Sequence, residues 1–352
     1  MLRTLTLFGL VGTLAATAAP AQVRLNGAGA TFPNIIYQNW IITYNRQFDT
    51  VELNYQSIGS GGGIRQFSDK TVDFGGTDAP MSDSAIAVIQ GNVMHIPTVL
   101  GAVVATYNLP GLATPLRFTP ALLTDVFLGK LTRWNDARIA AVNPGVVLPA
   151  MDILVVHRSD GSGTTFVWTD YLSKVSPEWL RQVGRGTSVR WPVGLGGRGN
   201  EGVAATVRQT PGAIGYVELG YALITRMAVA DVQNRSGNFI TPSLASVTAA
   251  AAGAMADMGA NTDFRVSITD PAGAQAYPIA SFTWLLVRRT YPDVAKAREL
   301  AKFVWWALTD GQAKAADLGY APLPTEMRPW IEARLKGIIA NGQVVWRGAR
   351  GA

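Results

Sequence analysis

One stretch of the sequence combines an arginine, hydroxyl side chains and glycines in a spacing that suits anion binding. The apolar residues 153–156 predict a buried strand, and the turn Asp160-Gly161-Ser162-Gly163-Thr164 follows after Arg158. Residues 166–172 then have helical periodicity. A helix that opens on such a turn offers free N–H groups and hydroxyls to an anion, and its dipole favours negative charge there. Arg158 adds a fixed charge and a forked donor. An oxyanion site is therefore predicted, although an N-cap in a tight turn without ligand fits this one turn equally well.

Three further turns resemble this one and share its position after a predicted strand. They are residues 28–32, residues 59–63 and Thr77-Asp78, and the first two lead directly into a predicted helix. Ligands of open α/β sheets bind outside the carboxyl ends of the strands, so these turns are expected to converge on one small anion. Their hydroxyl residues also suit ordinary N-caps, and a capping geometry is itself an anion-binding geometry. The hydroxyl residues concerned are Thr31, Ser60, Ser162 and Thr164.

Asp78 is the one acidic residue among these three further turns, and it bears on which anion is bound. A carboxylate repels an anion unless a proton lies between the two. Phosphate carries such a proton near neutral pH, since its second pKa is about 6 in phosphoryl esters. Sulfate has no proton to give, so an ionised carboxylate would reject it. An Asp turn before Pro80 explains the residue equally well from spacing alone.

The composition excludes several classes of protein. The 352 residues contain no cysteine, which excludes disulfides, thiolate metal sites and cysteine nucleophiles. The two histidines, His95 and His157, are far apart in sequence, which argues against a multi-histidine metal site. The formal net charge of +6 suits anionic partners. However, no dense Lys/Arg run occurs, and nucleic acid is not an expected partner.

The N-terminus has the pattern of a signal peptide, residues 1–21. Arg3 gives a short positive region, an apolar run over residues 5–14 follows, and Ala19-Pro20-Ala21 supplies a small-x-small cleavage pattern. Cleavage after Ala21 is expected, with Ala18 as the alternative. The apolar run is shorter than the ~20 residues that a bilayer requires, which favours export over an uncleaved anchor. We therefore expect a soluble, extracytoplasmic mature protein.

Strands and helices alternate through most of the mature sequence, which predicts an α/β architecture with largely parallel sheets. A short strand is expected at residues 23–25. The apolar run at residues 98–108 is read as a crossover into a second lobe, and the run at 277–287 as the return. The predicted division is therefore lobe I, residues 22–98 plus 280–352, and lobe II, residues 99–279. No internal repeat of solenoid type is present.

Two sequence patterns suggest other chemistry without sufficient support. Gly194-x-Gly196-x-x-Gly199 matches a dinucleotide-binding pattern, but it lacks a convincing strand before it. Ser162 lacks the outer glycine of a nucleophile elbow, and His157 is more readily a strand-end residue than its base. A secreted phosphoesterase would need a nucleophile–base pair or a metal cluster, and neither is visible. We therefore expect a binding protein and not an enzyme, with no cofactor and no metal.

Taken together, these motifs resemble the phosphate-binding proteins of ABC-type phosphate importers. The matching segments fall in order across nearly all of the mature chain. They are Gly27-Ala28-Gly29-Ala30-Thr31-Phe32-Pro33, Asn54-Tyr55-Gln56-Ser57-Ile58-Gly59-Ser60-Gly61-Gly62, Val72-Asp73-Phe74-Gly75 with Asp78-Ala79-Pro80, Arg158-Ser159-Asp160-Gly161-Ser162-Gly163-Thr164, residues 194–202 and Pro211-Gly212-Ala213-Ile214-Gly215-Tyr216-Val217-Glu218.

The resemblance implies an α/β, two-lobed periplasmic-binding-protein fold of type II, in which each lobe is a mixed sheet flanked by helices and two hinge crossovers join the lobes. It implies a monomer that closes on inorganic phosphate in the periplasm and delivers it to the membrane permease subunits of an ABC phosphate importer. Asp160 is implied as the acidic residue that tempers the charge of Arg158. By motif position the implied phosphate ligands are Thr31, Phe32 through its backbone, Ser60, Asp78, Arg158, Ser162, Gly163 through its backbone, and Thr164.

Three positions depart from the family pattern. Gly61 stands where a second serine is common, Thr77 where serine is expected, and His157 where arginine is expected. None replaces an implied ligand, so the departures bear on affinity more than on ligand identity. His157 is the position that could lower the local positive potential or make it depend on pH. A solute-binding protein for another tetrahedral oxyanion remains the rival, against which Asp78 argues.

Overall fold

A computed structural model of the protein describes residues 22–112, 114–255, 258–259 and 262–348. The predicted signal peptide, residues 1–21, lies outside the described residues. Within these ranges no helix is both long enough and apolar enough to cross a membrane.

The described elements alternate between strands and helices along most of the chain. The strands are β1 (Val23–Gly29), β2 (Val51–Ser57), β3 (Phe74–Thr77), β4 (Met94–Tyr107), β5 (Arg117–Phe118), β6 (Leu154–Arg158), β7 (Leu195–Gly197), β8 (Ala213–Glu218), β9 (Ala228–Val229), β10 (Asp231–Gln233), β11 (Phe239–Ile240), β12 (Ala280–Val287), β13 (Thr290–Tyr291), β14 (Ile339–Ala340) and β15 (Gln343–Val344). The α-helices are α1 (Asn34–Gln47), α2 (Ser60–Ser68), α3 (Asp83–Val88), α4 (Pro120–Phe127), α5 (Ala137–Val142), α6 (Gly163–Val175), α7 (Pro177–Gln182), α8 (Gly199–Gln209), α9 (Leu219–Ile224), α10 (Leu244–Ala252), α11 (Val294–Leu308) and α12 (Arg328–Lys336). Three 3₁₀ turns lie at Asp310–Lys314, Ala316–Leu318 and Thr325–Met327.

The central sheet has the strand order β2-β1-β3-β12-β4-β8-β6-β7, with β9 beside β4. Strand β1 is parallel to β2 and β3, and β6 is parallel to β7 and β8. Strand β12 is antiparallel to β3 and β4, and β4 is antiparallel to β8. We call β2, β1, β3 and β12 the first half of the sheet, and β8, β6 and β7 the second half. A mixed sheet flanked by helices confirms the predicted fold class.

Strand β4 belongs to both halves of the sheet. All of its 14 residues are buried, which suits a strand covered on both faces. Its first part, Met94 to Ala102, pairs with β12, and its second part, Val103 to Tyr107, pairs with β8. The predicted lobe boundary at 98/99 falls inside this strand, and the boundary at 279/280 falls at the start of β12. The division into two lobes stays a prediction.

Aromatic side chains fill the core on both halves. Helix α1 buries Tyr37, Trp40 and Tyr44 on the face that its three- and four-residue spacing creates. In the second half Trp168 of α6 stacks on Tyr216 of β8, with ring centroids 5.1 Å apart. Burial of each such side chain contributes on the order of 2–3 kcal/mol. This packing fixes helices α1 and α6, whose first turns face the carboxyl ends of the strands.

Strand β1 is longer than the sequence suggested. The prediction ended it at residue 25, because glycine and alanine dominate residues 27–30. In the structure β1 continues to Gly29, where it pairs with Ser57 of β2 and Gly76 of β3. Glycine suits this position because Gly29 has a φ of +151° and because an added Cβ would lie 2.0 Å from the Gly76 carbonyl oxygen. The extension places Thr31 beyond the edge of the sheet.

Candidate functional site

The loops that follow β1, β2, β3 and β6 bring the predicted site residues to one place between the two halves. The polar residues among them are almost completely buried, which is unusual for side chains of these types without polar partners. Their exposures are 2% for Thr31, 0% for Ser60, 1% for Asp78, 3% for Arg158, 0% for Ser162 and 0% for Thr164. Phe32 and Gly163 are buried as well.

Asp78 forms the wall of the site on the first half. Its Oδ1 accepts a hydrogen bond of 2.7 Å from the Thr283 hydroxyl of β12, and its backbone N–H donates to Ser60 Oγ at 3.1 Å. Burial raises the pKa of Asp78 to about 7, against the lowering effects of Thr283, Arg158 and Ser60. Near neutral pH this carboxyl is therefore protonated in part of the molecules. Nothing in the sequence indicated that Thr283 contacts Asp78, since the two residues are 205 positions apart.

Arg158 and Asp160 form the opposite wall, on the second half. Arg158 donates from Nε to Asp160 Oδ1 at 2.8 Å and from Nη2 to Oδ2 at 2.5 Å. Asp160 also accepts the Gly199 backbone N–H at 3.1 Å. Burial by itself raises the pKa of Asp160, but the Arg158 hydrogen bonds and charge outweigh this and hold the pKa below its usual range. The carboxylate thus stays ionised, and it fixes the guanidinium in one plane.

Helix capping accounts for one of the three hydroxyl side chains of Thr31, Ser60 and Ser162. Ser162 caps α6, because its Oγ accepts the Thr165 N–H at 3.0 Å. Ser60 is the first residue of α2, whose N-cap is Gly59 without a side-chain bond. Thr31 likewise caps no helix, since α1 has Pro33 in that position. Capping therefore accounts for Ser162 and leaves the hydroxyls of Thr31 and Ser60 with other roles.

The two halves meet through backbone at four glycines, Gly59, Gly61, Gly161 and Gly163, which we call the glycine seam. The Gly61 N–H donates to the Gly161 carbonyl at 2.8 Å. A Cβ on Gly163 would lie 2.4 Å from Ser60 Oγ and 2.5 Å from Asp78 Oδ2. The first turn of α6 thus lies directly against Asp78 and Ser60. The two walls, one with Asp78 and the other with Arg158, therefore face each other in one buried site.

Asn200, at the start of α8, was missed by the sequence reasoning. Its Oδ1 accepts the Glu218 N–H at 3.0 Å, which orients the amide. Its Nδ2 then donates to Thr31 Oγ1 at 2.8 Å and to Thr164 Oγ1 at 3.1 Å. Because both threonine oxygens accept from Asn200, their own protons are available to an anion. The pattern Gly194-x-Gly196-x-x-Gly199, which resembles a dinucleotide motif, ends directly before Asn200, and β7 lies inside it.

The three departures from the family pattern have local explanations. The Gly61 N–H contributes to the glycine seam, and Thr77 Oγ1 accepts the Ala79 N–H at 3.1 Å. His157 stacks on Trp191 with ring centroids 4.7 Å apart. Burial lowers the pKa of His157 below its ordinary value, so the imidazole is neutral at pH 7. It therefore adds no charge to the site near neutral pH.

A family model described as a PBP superfamily domain matches residues 15–310. The fold and a buried site between two sheet halves agree with that class of protein.

Within this class, two curated relatives are similar over most of their length. The phosphate-binding protein PstS of Xylella fastidiosa (strain 9a5c) is 45% identical over 313 residues, which cover 89% of this chain and 85% of the relative. The phosphate-binding protein PstS of Pasteurella multocida is 43% identical over 328 residues, which cover 92% of this chain and 93% of the relative. The chain belongs to the PstS family of phosphate-binding proteins.

A solved structure supports the same fold. It is a high-affinity periplasmic phosphate-binding protein, PfluDING, bound with phosphate at pH 8.5. The TM-score is 0.70 at 22% identity, and the match covers 88% of this chain and 93% of the solved one.

Proposed function

We propose that this protein captures inorganic phosphate between the two halves of its sheet and delivers it to the membrane permease of an ABC phosphate importer. The observation that carries the proposal is the glycine seam, because it brings Asp78 on one half against the hydroxyl-rich start of α6, with Arg158, on the other. Family membership supports the same function. The protein is a binding protein and not an enzyme, as in the PstS relatives.

The proposed ligand set combines one charged donor with several neutral donors and one acceptor. Arg158, already paired with Asp160, contributes a guanidinium with little net charge around it. Hydroxyls and backbone N–H groups supply neutral donors, and Asp78 accepts the proton of phosphate. The proposed ligands are Thr31, Phe32 (backbone), Ser60, Asp78, Arg158, Ser162, Gly163 (backbone) and Thr164.

Two further statements belong to this proposal. The signal-peptide pattern of residues 1–21 supports export, so that the mature protein works outside the cytoplasm. The family resemblance supports a monomer. Two observations favour binding over phosphoesterase activity: the curated relatives are phosphate-binding proteins, and the Ser162 hydroxyl caps a helix.

Tryptophan fluorescence titration tests the function directly. The chain has 10 tryptophans, and Trp168 stacks on Tyr216, whose hydroxyl accepts the Arg158 N–H at 3.1 Å. Phosphate is expected to change the emission saturably, while sulfate at the same concentration leaves it unchanged. Equal responses to both anions, or no response to phosphate, would contradict the proposal.

Asn200 provides a prediction about the neutral donors. Changing Asn200 to alanine removes the hydrogen bonds that turn the Thr31 and Thr164 protons toward the ligand. Each such bond contributes about 0.5–1.5 kcal/mol, so phosphate affinity is expected to fall about tenfold or more in calorimetric titration. Asn238→Ala is the matched control, because Asn238 is exposed. An unchanged dissociation constant for Asn200→Ala would remove this residue from the binding mechanism.

A further inference from the structure

Three tyrosine side chains hold three consecutive carbonyl groups in the loop that follows β1. Each phenol is buried and donates its proton to one carbonyl oxygen. The three pairs are Tyr55 of β2 with Ala30 at 2.8 Å, Tyr221 of α9 with Thr31 at 2.7 Å, and Tyr320 with Phe32 at 2.7 Å. Each bond fixes the direction of one peptide group in a loop that supplies two of the proposed phosphate ligands.

A carbonyl that is held in one direction also sets the direction of the next N–H group. The peptide unit is planar and trans, so its C=O and N–H bonds point in opposite directions. The Tyr221 bond to the Thr31 carbonyl therefore fixes the direction of the Phe32 N–H. The Tyr320 bond has no such effect, because the next residue is Pro33, which has no N–H. Tyr221 thus orients a donor, whereas Tyr320 only holds the chain.

The Phe32 N–H is a buried donor without an acceptor in the described part of the protein. Phe32 is 0% exposed, and its N–H donates to no oxygen of the described residues. A buried N–H that stays unpaired costs free energy, so such groups are rare unless a ligand or water accepts the hydrogen bond. An anion between the two walls is an acceptor of the kind that this N–H lacks.

Tyr221 reaches this loop from the side of the second half. Helix α9 follows β8 directly and packs on β8, α8 and β4, whereas Thr31 and Phe32 follow β1. Asn200 of α8 makes a second contact of this kind, from Nδ2 to Thr31 Oγ1. The Thr31 carbonyl also accepts the Asn34 N–H at 3.2 Å, but that bond lies within the first half. The second half therefore holds Thr31 by its side chain and by its carbonyl.

We propose that Tyr221 is a positioning residue for phosphate, which holds the Thr31 carbonyl so that the Phe32 N–H points at the anion. Because the phenol comes from the second half, the N–H takes this direction when the two halves lie together. The donor is then oriented in the same arrangement in which Arg158 faces Asp78. This inference deepens the proposed function and rests on it.

The groups around the Tyr221 hydroxyl keep it a donor. Burial raises the pKa of Tyr221 above its ordinary value, and the carboxyl groups of Glu201 and Glu218 act in the same direction. The Asn34 side chain and Arg158 act in the opposite direction and are outweighed. The phenol therefore retains its one proton near neutral pH, and the carbonyl receives it.

Calorimetric titration of two matched variants with phosphate tests the proposal. Tyr221→Phe removes one oxygen atom, and the loss of one neutral hydrogen bond predicts an affinity about three- to tenfold lower. Tyr320→Phe removes an equivalent bond from the same loop but frees no N–H, so its affinity is expected to stay within about twofold of wild type. Each variant loses one buried bond, so the two Tm values are expected to fall alike. Equal losses of affinity, or no loss in Tyr221→Phe, overturn the proposal.

Nuclear magnetic resonance reports on the N–H itself. Labelling threonine carbonyl carbon and phenylalanine nitrogen together selects Thr-Phe pairs, and the chain has two, Thr31-Phe32 and Thr165-Phe166. Phe166 is the reference, because its N–H donates to the Ser162 carbonyl within α6. Phosphate is expected to move the Phe32 proton signal downfield in the wild type and in Tyr320→Phe, and by less in Tyr221→Phe. Neither variant adds a Thr-Phe pair, since both tyrosines follow glycine.

The outcomes separate this inference from the proposed function. A wild type that responds to phosphate in neither measurement ends the proposed function, and the inference with it. A wild type that binds phosphate without a shift of the Phe32 signal overturns the inference alone, even if Tyr221→Phe fails to fold. The same holds if Tyr221→Phe shows the full Phe32 shift of the wild type.

Discussion

Replacing Arg158 with alanine is expected to weaken phosphate binding at least a hundredfold. Arg158 is buried, and its guanidinium is held by a forked bond to Asp160. A hydrogen bond to a charged group contributes about 1.5–3 kcal/mol, and the Asp160 carboxylate, left without its counter-charge, would also repel the anion. A hundredfold loss corresponds to about 2.7 kcal/mol. Calorimetric titration with phosphate measures the effect.

Two further variants separate charge from geometry at this position. Arg158→Lys keeps a positive charge but loses the planar fork, so it is expected to recover only part of the affinity. Arg190→Ala, an exposed arginine from the same half, is the control for net charge and should bind phosphate as the wild type does. Wild-type affinity in Arg158→Ala would exclude this arginine from the ligand set.

Changing Asp78 to asparagine is expected to reverse the selectivity of the site. Thr283 holds the Oδ1 atom of Asp78, so the amide nitrogen of an asparagine takes the place of Oδ2, which faces Gly163. An amide donates to a fully deprotonated anion, whereas the carboxylate repels it. Sulfate affinity should rise at least tenfold, and phosphate affinity should fall. Parallel titrations of both anions measure the ratio. An unchanged preference for phosphate would contradict the role assigned to Asp78.

The same variant carries a prediction about stability and pH in the absence of ligand. Burial raises the pKa of Asp78 from 3.8 to about 7. A carboxyl whose pKa is raised by folding contributes its full stability below pH 3.8 and loses it as the pH rises through 7. The loss is about 4 kcal/mol for a shift of this size. Asp78→Asn does not ionise, so its Tm should exceed that of the wild type at pH 8.

Thermal unfolding at pH 4 and pH 8 checks the direction of this pH dependence. The difference in Tm between Asp78→Asn and the wild type should shrink toward pH 4, where Asp78 is protonated in the folded state as well. Asp69→Asn, which alters an exposed carboxylate of the first half, should show no such pH-dependent gain. A Tm difference that is equal at pH 4 and pH 8 would mean that ionisation of Asp78 is not its cause.

Much of the site was predictable because each wall is local in sequence. The order strand, glycine-containing turn, helix is contained in residues 153–172, and β6 and α6 form there as expected. Arg158, Asp160 and Ser162 therefore lie together through short-range geometry alone. The same holds for Ser60 at the start of α2. Each of these turns follows a parallel strand, and that was enough to place the turns at the same edge of the sheet.

The residues that were missed act over long distances in the chain. Asn200 is 169 positions from Thr31, and Thr283 is 205 positions from Asp78. Asn200 lies in the matching segment 194–202, but its glycines rather than the asparagine stood out there, and Thr283 lies in no motif. Their roles depend on which strands are neighbours, and that follows from the long β4 strand and the return through β12. Local periodicity indicates that these strands exist, but it does not set their register.

The glycine seam has a consequence for release rather than capture. Gly61 and Gly161 meet through backbone, and Gly163 lies without a side chain of its own against the Ser60 and Asp78 side chains. Association driven by apolar burial scales with area, at roughly 25 cal/mol per Å², and glycine contributes very little such area. Along the seam the halves therefore gain little from apolar burial. In the proposed function an anion that contacts both walls supplies cohesion that the seam lacks, and its departure favours separation, which suits a carrier that must empty itself repeatedly.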